Sequence, residues 1–221
     1  FLATLNIEIQ HRINISDRKL CTQSARSDLS KFSSIMVKHL YEILNSACKK
    51  VDPNHLNLGA RYFTVPPDWA VEGMKCFDVF SINCYMERVP ADKLSSLSEN
   101  LGIPIVIGEW HFGALDVGLP ASGIGRVSNQ EERGKAFRIY VETAAVEPWC
   151  VGVHWFSLYD QSALGRFDGE NYNIGFLDVC NKPYEQMVDA AKLTHQRLYE
   201  VAVGKLQPYN EPVKYLPKLF L

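Results

Sequence analysis

The sequence predicts an α/β fold in which a parallel sheet is covered by helices, and three observations carry that expectation. Short apolar runs at Val79 to Ile82, Ile103 to Ile107 and Cys150 to Phe156 read as strands covered on both faces. Segments with helical spacing separate them, and the long loops, 113–127 and 157–175, come only after strands. Each run also ends in groups able to hold a hydroxylated ligand: Asn83 and Tyr85, then Glu109-Trp110-His111, then Trp155 through Gln161. Enzymes of this architecture keep their chemistry at the C-terminal ends of strands.

Residues 1–26 read as a connector, or the remnant of a preceding half, with Phe1 to Ile9 as a possible strand. From Ser27, a plausible N-cap, Leu29, Phe32, Met36, Leu40, Ile43, Leu44 and Ala47 recur at helical spacing to Lys50. Asp52-Pro53 breaks this helix, because the residue before a proline is pushed out of the α region. A strand is expected over Leu56 to Tyr62, a loop or one-turn helix from Pro66, and a strand over Asp78 to Tyr85. Pro90 precedes a short helix with Leu94, Leu97 and Leu101 on one face, and Ile103 to Glu109 follows as the third strand.

Ser128 to Glu131 has the form of a capping box opening a helix with Phe137, Tyr140, Val141, Ala144 and Ala145 in line. The fourth strand is Cys150 to Phe156, and Ile174 to Val179 adds a short extended piece. A last helix starts at Asn181 and Pro183, with Tyr184, Met187, Val188, Ala191, His195 and Leu198 aligned. Residues 204–221 read as an extended tail. Four strand–helix units over residues 27–203 make half of an eight-stranded barrel, or else a small open sheet.

Composition narrows the function classes. With 23 basic and 25 acidic residues the formal charge is −2, and no basic run is interleaved with aromatics, which argues against a nucleic-acid partner. No apolar run approaches the roughly 20 residues a bilayer span needs. Six cysteines lie far apart without metal-ligand spacing and are read as structural; they leave the compartment open, with a secreted or periplasmic setting as the expectation. Neither a cofactor nor a metal is expected, since the Asp168/Glu170 segment lacks the ligand spacing of an EF-hand and suits a simple turn.

Ile107-Gly-Glu-Trp-His-Phe-Gly113, His154-Trp-Phe-Ser-Leu-Tyr-Asp-Gln161 and Asp168-Gly-Glu-Asn-Tyr-Asn-Ile-Gly-Phe176 resemble the C-terminal half of the agarase-type glycoside hydrolases, over about residues 27 to 200. These are retaining clan A enzymes built on a TIM-type (β/α)8 barrel. The resemblance implies that Glu109 is the nucleophile at the end of the seventh strand, that Tyr85 from the sixth lies beside it, and that Trp155 from the eighth is a sugar platform. It further implies hydrolysis of a β-linked, galactose-containing polysaccharide; the alternatives are another clan A β-glycosidase, such as a β-galactosidase or β-glucanase, or a non-catalytic carbohydrate-binding half-barrel.

Chemistry supplies reasons independent of the family. A retaining glycosidase needs an ionised carboxylate to attack the anomeric carbon and a second carboxyl about 5 to 5.5 Å away as acid and base. Tyr85, Arg61 and His154 are the expected donors to Glu109, although Arg61 reads equally as a plain ion-pair partner and His154 as a core histidine. Trp110 and Trp155 offer stacking faces, with plain core as the other reading of Trp155. Asn83, His111, Tyr159, Asp160 and Gln161 are candidate hydroxyl ligands.

One element of the family pattern is missing. The acid/base lies in an Asn-Glu at the end of the fourth strand, whereas here Asn210-Glu211 falls in the tail and Asn6-Ile-Glu8 is interrupted. The expectation is therefore half a barrel, with an inner apolar face of Ile105, Ile107, Val153 and Trp155 left open to water. Its cover would be a preceding segment of the polypeptide, a second copy of the chain, or residues 1 to 26.

Overall fold

A computed structural model describes residues 22–217. Its elements are α1 (Gln23–Val51), β1 (Arg61–Tyr62), α2 (Asp68–Val71) running into a 3-10 turn (Glu72–Cys76), β2 (Phe80–Asn83), α3 (Ala91–Leu101), β3 (Ile105–Trp110), α4 (Gln130–Ala145), β4 (Cys150–Trp155) and α5 (Glu185–Ala202). The strands form one parallel sheet in chain order, β1-β2-β3-β4. All four strand ends that precede the loops therefore point the same way.

Local chemistry explains where the boundaries depart from the pattern. α1 begins at Gln23 because the Thr22 hydroxyl accepts the Ala25 amide at 3.2 Å, so Ser27 is not its cap. β1 keeps only two residues of the expected Leu56–Tyr62. Upstream, Asn57 Oδ1 accepts the Gly59 amide at 3.0 Å, and Gly59 takes φ +65° with its Cα against the Phe77 ring, a turn that stops the strand. Asn129, not Ser128, caps α4 by accepting the Glu132 amide at 2.9 Å, while the Ser128 amide is spent on Lys214 O at 3.1 Å. The last helix waits until Glu185, because Asp178 Oδ1 accepts the Cys180 and Lys182 amides at 2.8 Å and Asn181 turns left-handed at φ +61°. The strand called at Phe1–Ile9 lies outside the described residues, as does Cys21.

The core lies between the sheet and helices α3, α4 and α5. Phe80, Ile82, Ile105, Ile107 and Trp110 meet Leu94, Leu97, Leu101, Phe137, Tyr140, Ala144 and Met187 there. This corrects the expected open face. Ile105 and Ile107 are fully buried on the helix side, and Val153 and Trp155 pack against the same cluster. The opposite face carries small and polar residues: a Cβ on Gly108 would stand 2.5 Å from Arg61 Cδ and 2.7 Å from Ser81 Oγ. The uncovered apolar surface is instead on α1, none of whose residues is buried. Phe32, Met36, Leu40, Ile43 and Leu44 are each about half exposed, although Tyr41 packs on Phe77 and Asn45 donates to Cys76 O at 2.6 Å on another side of the helix.

The tail returns to the body. Glu132 Oε2 accepts the Lys214 amide at 2.6 Å, Glu142 Oε2 accepts the Tyr209 amide at 2.8 Å, and Tyr215 pairs with Val127. Among the described residues no helix is long and apolar enough to cross a membrane, and no group of three or more His, Cys, Asp or Glu could hold a metal.

One cation ties these layers together. Arg133 on α4 is fully buried and donates to Phe112 O at 2.7 Å, Gly175 O at 2.5 Å and Gln130 Oε1 at 2.9 Å, with its guanidinium between the rings of Trp155 and Tyr184. Burial pulls its pKa down to about 10, with Asp160 opposing the shift, so it stays charged at neutral pH. Arg133→Met would strand two carbonyls and leave the Asp160 carboxylate without its counter-charge. The expected loss is about 3–5 kcal/mol of unfolding free energy in a denaturant titration.

Candidate active site

Parallel register decides which side chains meet at the sheet's C-terminal end. Asn83 pairs with Glu109 across a register shift, and Trp110 pairs with Trp155 across another. Glu109 Oε2 lies 3.0 Å from Arg61 Nη2, and Oε1 accepts a short hydrogen bond from the Tyr85 hydroxyl. Arg61 is fixed in turn by donating Nη1 to Gly108 O at 3.3 Å. Gly108 is required here because any side chain would displace the guanidinium. Burial, followed by the Glu109 carboxylate, holds the Tyr85 phenol far above the usual tyrosine range, so it remains a donor at any physiological pH. His154, the third expected donor, is exposed and makes no bond to Glu109.

Beside this pair lies a cleft of about 690 Å³ whose walls include Phe63, Asn83, Tyr85, Ile124, Glu170 and Tyr172. Asn83 Oδ1 is buried and accepts no hydrogen bond from any of the described residues. Glu109, Arg61, Tyr85 and Asn83 are thus brought together.

Five candidates have other work. Trp110 is 1 % exposed on the helix side, its ring stacked on Tyr140 at 4.0 Å, and cannot present a face to a sugar. Trp155 lies in the same aromatic cluster, edge-on to Trp110 at 4.7 Å and donating Nε1 to Ile174 O at 2.8 Å, so it is core rather than platform. Successive residues of a strand point to opposite sides, so the residues after them, His111 and Phe156, turn to the other face, where His111 meets Tyr85. Asp160 is buried and consumed by the Gly175 amide and the Tyr184 hydroxyl, both at 2.7 Å. Burial pushes its pKa up, against the pull of those donors and of Arg133.

His111 is also spent internally. It is 2 % exposed, its Nε2 accepts the Ile124 amide at 3.0 Å, and its ring lies edge-on to Tyr85 at 4.8 Å. It supports the wall instead of touching a ligand. Gln161 is buried, accepting the Tyr172 amide and donating to Glu170 Oε2, both at 2.8 Å, while Tyr159 is half exposed on the loop outside the cleft wall. The sequence pattern does not single out Phe156 or Tyr172, and it takes Glu170 as part of a simple turn. Phe156 follows Trp155 directly, and strand alternation was the signal that could have found it; the other two sit in a segment that reads as a turn.

Burial, with the Arg133 charge behind it, drives the His111 pKa down to about 3 from 6.5. Between those values the unfolded chain takes up a proton that the folded chain refuses, so this group's contribution is complete above pH 6.5 and falls as pH is lowered towards 3. His111→Phe removes that penalty. Chemical denaturation of both proteins should show the stability difference shifting in favour of the variant from pH 7 to pH 4; a pH-independent difference would contradict a buried neutral imidazole.

The chain resembles known proteins over most of its length. No family model matches. It is 35 % identical over 191 residues to β-agarase B of Vibrio sp. strain JT0107, covering 85 % of this chain and 20 % of that protein. Identity to β-agarase A of the same strain is 34 % over 188 residues, covering 81 % and 19 %. A solved exo-β-agarase superposes with a TM-score of 0.77 at 38 % identity, covering 83 % of this chain and 26 % of that one. The chain thus spans about a fifth of the length of the curated relatives it matches. Within that span, its sequence and its fold are those of a segment of the agarase-type glycoside hydrolases.

Proposed function

We propose that this chain forms the nucleophile-bearing half of a retaining glycoside hydrolase that cleaves β-linked, galactose-containing polysaccharide of the agarose type, with Glu109 as the nucleophile. The observation that carries the reading is the clamp on Glu109: a carboxylate at the end of a buried strand, held by Arg61 on one oxygen and on the other by Tyr85, which lines the neighbouring cleft. Two donors fix the direction of the carboxylate, which is what attack on an anomeric carbon requires. Tyr85 can release its hydrogen bond as the oxygen becomes part of a glycosyl ester. The orphan Asn83 Oδ1 supplies an acceptor for a ring hydroxyl.

The acid/base carboxyl then comes from outside the described residues, by way of the rest of a (β/α)8 barrel. Support for that completion lies in the sheet, whose edges are β1 and β4, and in the open apolar stripe of α1. A stripe of that extent on a helix facing water is the mark of a surface that packs on something. A preceding segment of the same polypeptide, or a second copy of the chain, is the cover we propose, and a polysaccharide or oligosaccharide is the substrate.

Glu109→Gln keeps the size of the side chain and removes the nucleophile. In the complete enzyme, turnover of agarose should fall by roughly three orders of magnitude or more, while oligosaccharide binding survives. Product assays beside isothermal titration check both halves, and undiminished turnover would remove Glu109 from the reaction.

A further inference from the structure

Residues 161 to 172 double back over the end of β4. Gln161 and Tyr172 bond to each other through both backbone and side chain, the Arg166 amide donates to Glu170 O at 2.8 Å, and the Gly169 amide closes on Arg166 O at 2.9 Å. Arg166 lies over the Phe156 ring at 5.9 Å and already pairs with Asp168 at 2.6 Å. The returning limb brings Glu170 and Tyr172 to the wall of the cleft that Asn83 and Tyr85 also line.

Arg166 Nη2 at 2.6 Å and Gln161 Nε2 at 2.8 Å hold Glu170 there, both on Oε2, and the Tyr172 side chain bonds to it as well. Its side chain is 27 % exposed. The wall between it and Glu109 is a short ladder of rings. Tyr85, which donates to Glu109, contacts His111 at 4.8 Å, and His111 contacts Tyr172 at 6.1 Å. The negative charge of Glu170 reaches Tyr85 as well, adding to the upward push on its phenol.

We propose that Glu170 is a substrate-binding residue, accepting hydroxyl hydrogen bonds from a sugar unit adjoining the one at Glu109, and so selects the glycan. The inference rests on the glycan-cleft reading of the Glu109 site. A purely structural role explains the arrangement less well, because Asp168 already neutralises Arg166, and Gln161 is buried in order to present a donor to Glu170. The role proposed for Glu170 is that of a hydrogen-bond acceptor, distinct from that of the missing acid. Sugar hydroxyls are the matching donors, and a hydrogen bond to a charged acceptor is among the stronger neutral-ligand contacts.

The test titrates an agarose-derived tetrasaccharide into the purified full protein, wild type, Glu170→Gln and Glu170→Ala, and repeats the series with monodeoxy tetrasaccharides. Both variants should bind about tenfold more weakly or worse. The melting temperature of Glu170→Gln should hardly move, since the Arg166–Glu170 pair is partly solvated and the amide oxygen still accepts from Gln161, whereas Glu170→Ala strands that donor and should melt lower. One deoxy analogue should lose affinity for wild type and lose none for Glu170→Gln. Wild-type affinity in both variants, or equal losses for every analogue in wild type and Glu170→Gln, would overturn the assignment. If the wild-type protein binds no such oligosaccharide, the glycan reading of the cleft fails first and takes this inference with it.

Discussion

The guanidinium of Arg133 is the contact on which the arrangement of the site depends. It stands on α4, yet its bonds reach the exit of β3 through Phe112 O and the long loop after β4 through Gly175 O. Asn173, one turn away in that loop, is tied to the same centre by Gln130 Nε2 at 2.9 Å and the Tyr184 hydroxyl at 3.0 Å. The loop holding Glu170 and Tyr172 and the strand holding Glu109 are therefore referenced to one point. Burying a cation costs several kcal/mol, and here four hydrogen bonds and two aromatic rings offset it. A hydrophobic residue of the same volume could fill the space but could not hold two carbonyls of separate segments at fixed distances.

With that frame in place, strand parity divides the labour among neighbouring residues. Glu109 and Trp110 are adjacent, yet one enters an ion pair at the cleft and the other is sealed against Tyr140. Trp155 and Phe156 divide in the same way, the first into the helix layer and the second towards His111. Stacked and edge-on rings around Trp110 and Trp155 bury a large apolar area directly behind the site, which fixes the strand ends where Glu109 must be held. The polar residues of the loops then serve as braces: Asp160, Gln161 and His111 spend their bonds within the protein so that fewer groups need face a ligand.

Much of this was legible in the residues. The strand–helix alternation gives the parallel order, and Gly108-Glu109 after an apolar run marks the strand end where Arg61 and Tyr85 converge. Residue type misled wherever burial decides role. An indole reads as a sugar platform, but Trp110 and Trp155 belong to the core. A polar loop residue reads as a ligand, but Asp160 is consumed by Tyr184 and Gly175, partners 24 and 15 residues downstream that no local pattern reveals. Glu170 was hidden for the converse reason: its neighbours Gly169 and Asn171 suggest a turn, and its position comes from Gln161 and Arg166 across the loop. The stripe of α1 was read correctly as apolar, but periodicity does not say what covers it.

The most direct test of the account is to trap its covalent intermediate. A 2-deoxy-2-fluoro β-galactosyl substrate with a good leaving group slows both steps of a retaining mechanism and lets the glycosyl ester accumulate on the nucleophile. Incubating the complete enzyme with it and sequencing the labelled peptide by mass spectrometry should place one fluorosugar on Glu109, within Ile107-Gly-Glu-Trp-His-Phe-Gly113. A label on another carboxylate, or an inactivated enzyme in which that peptide is unmodified, would contradict it.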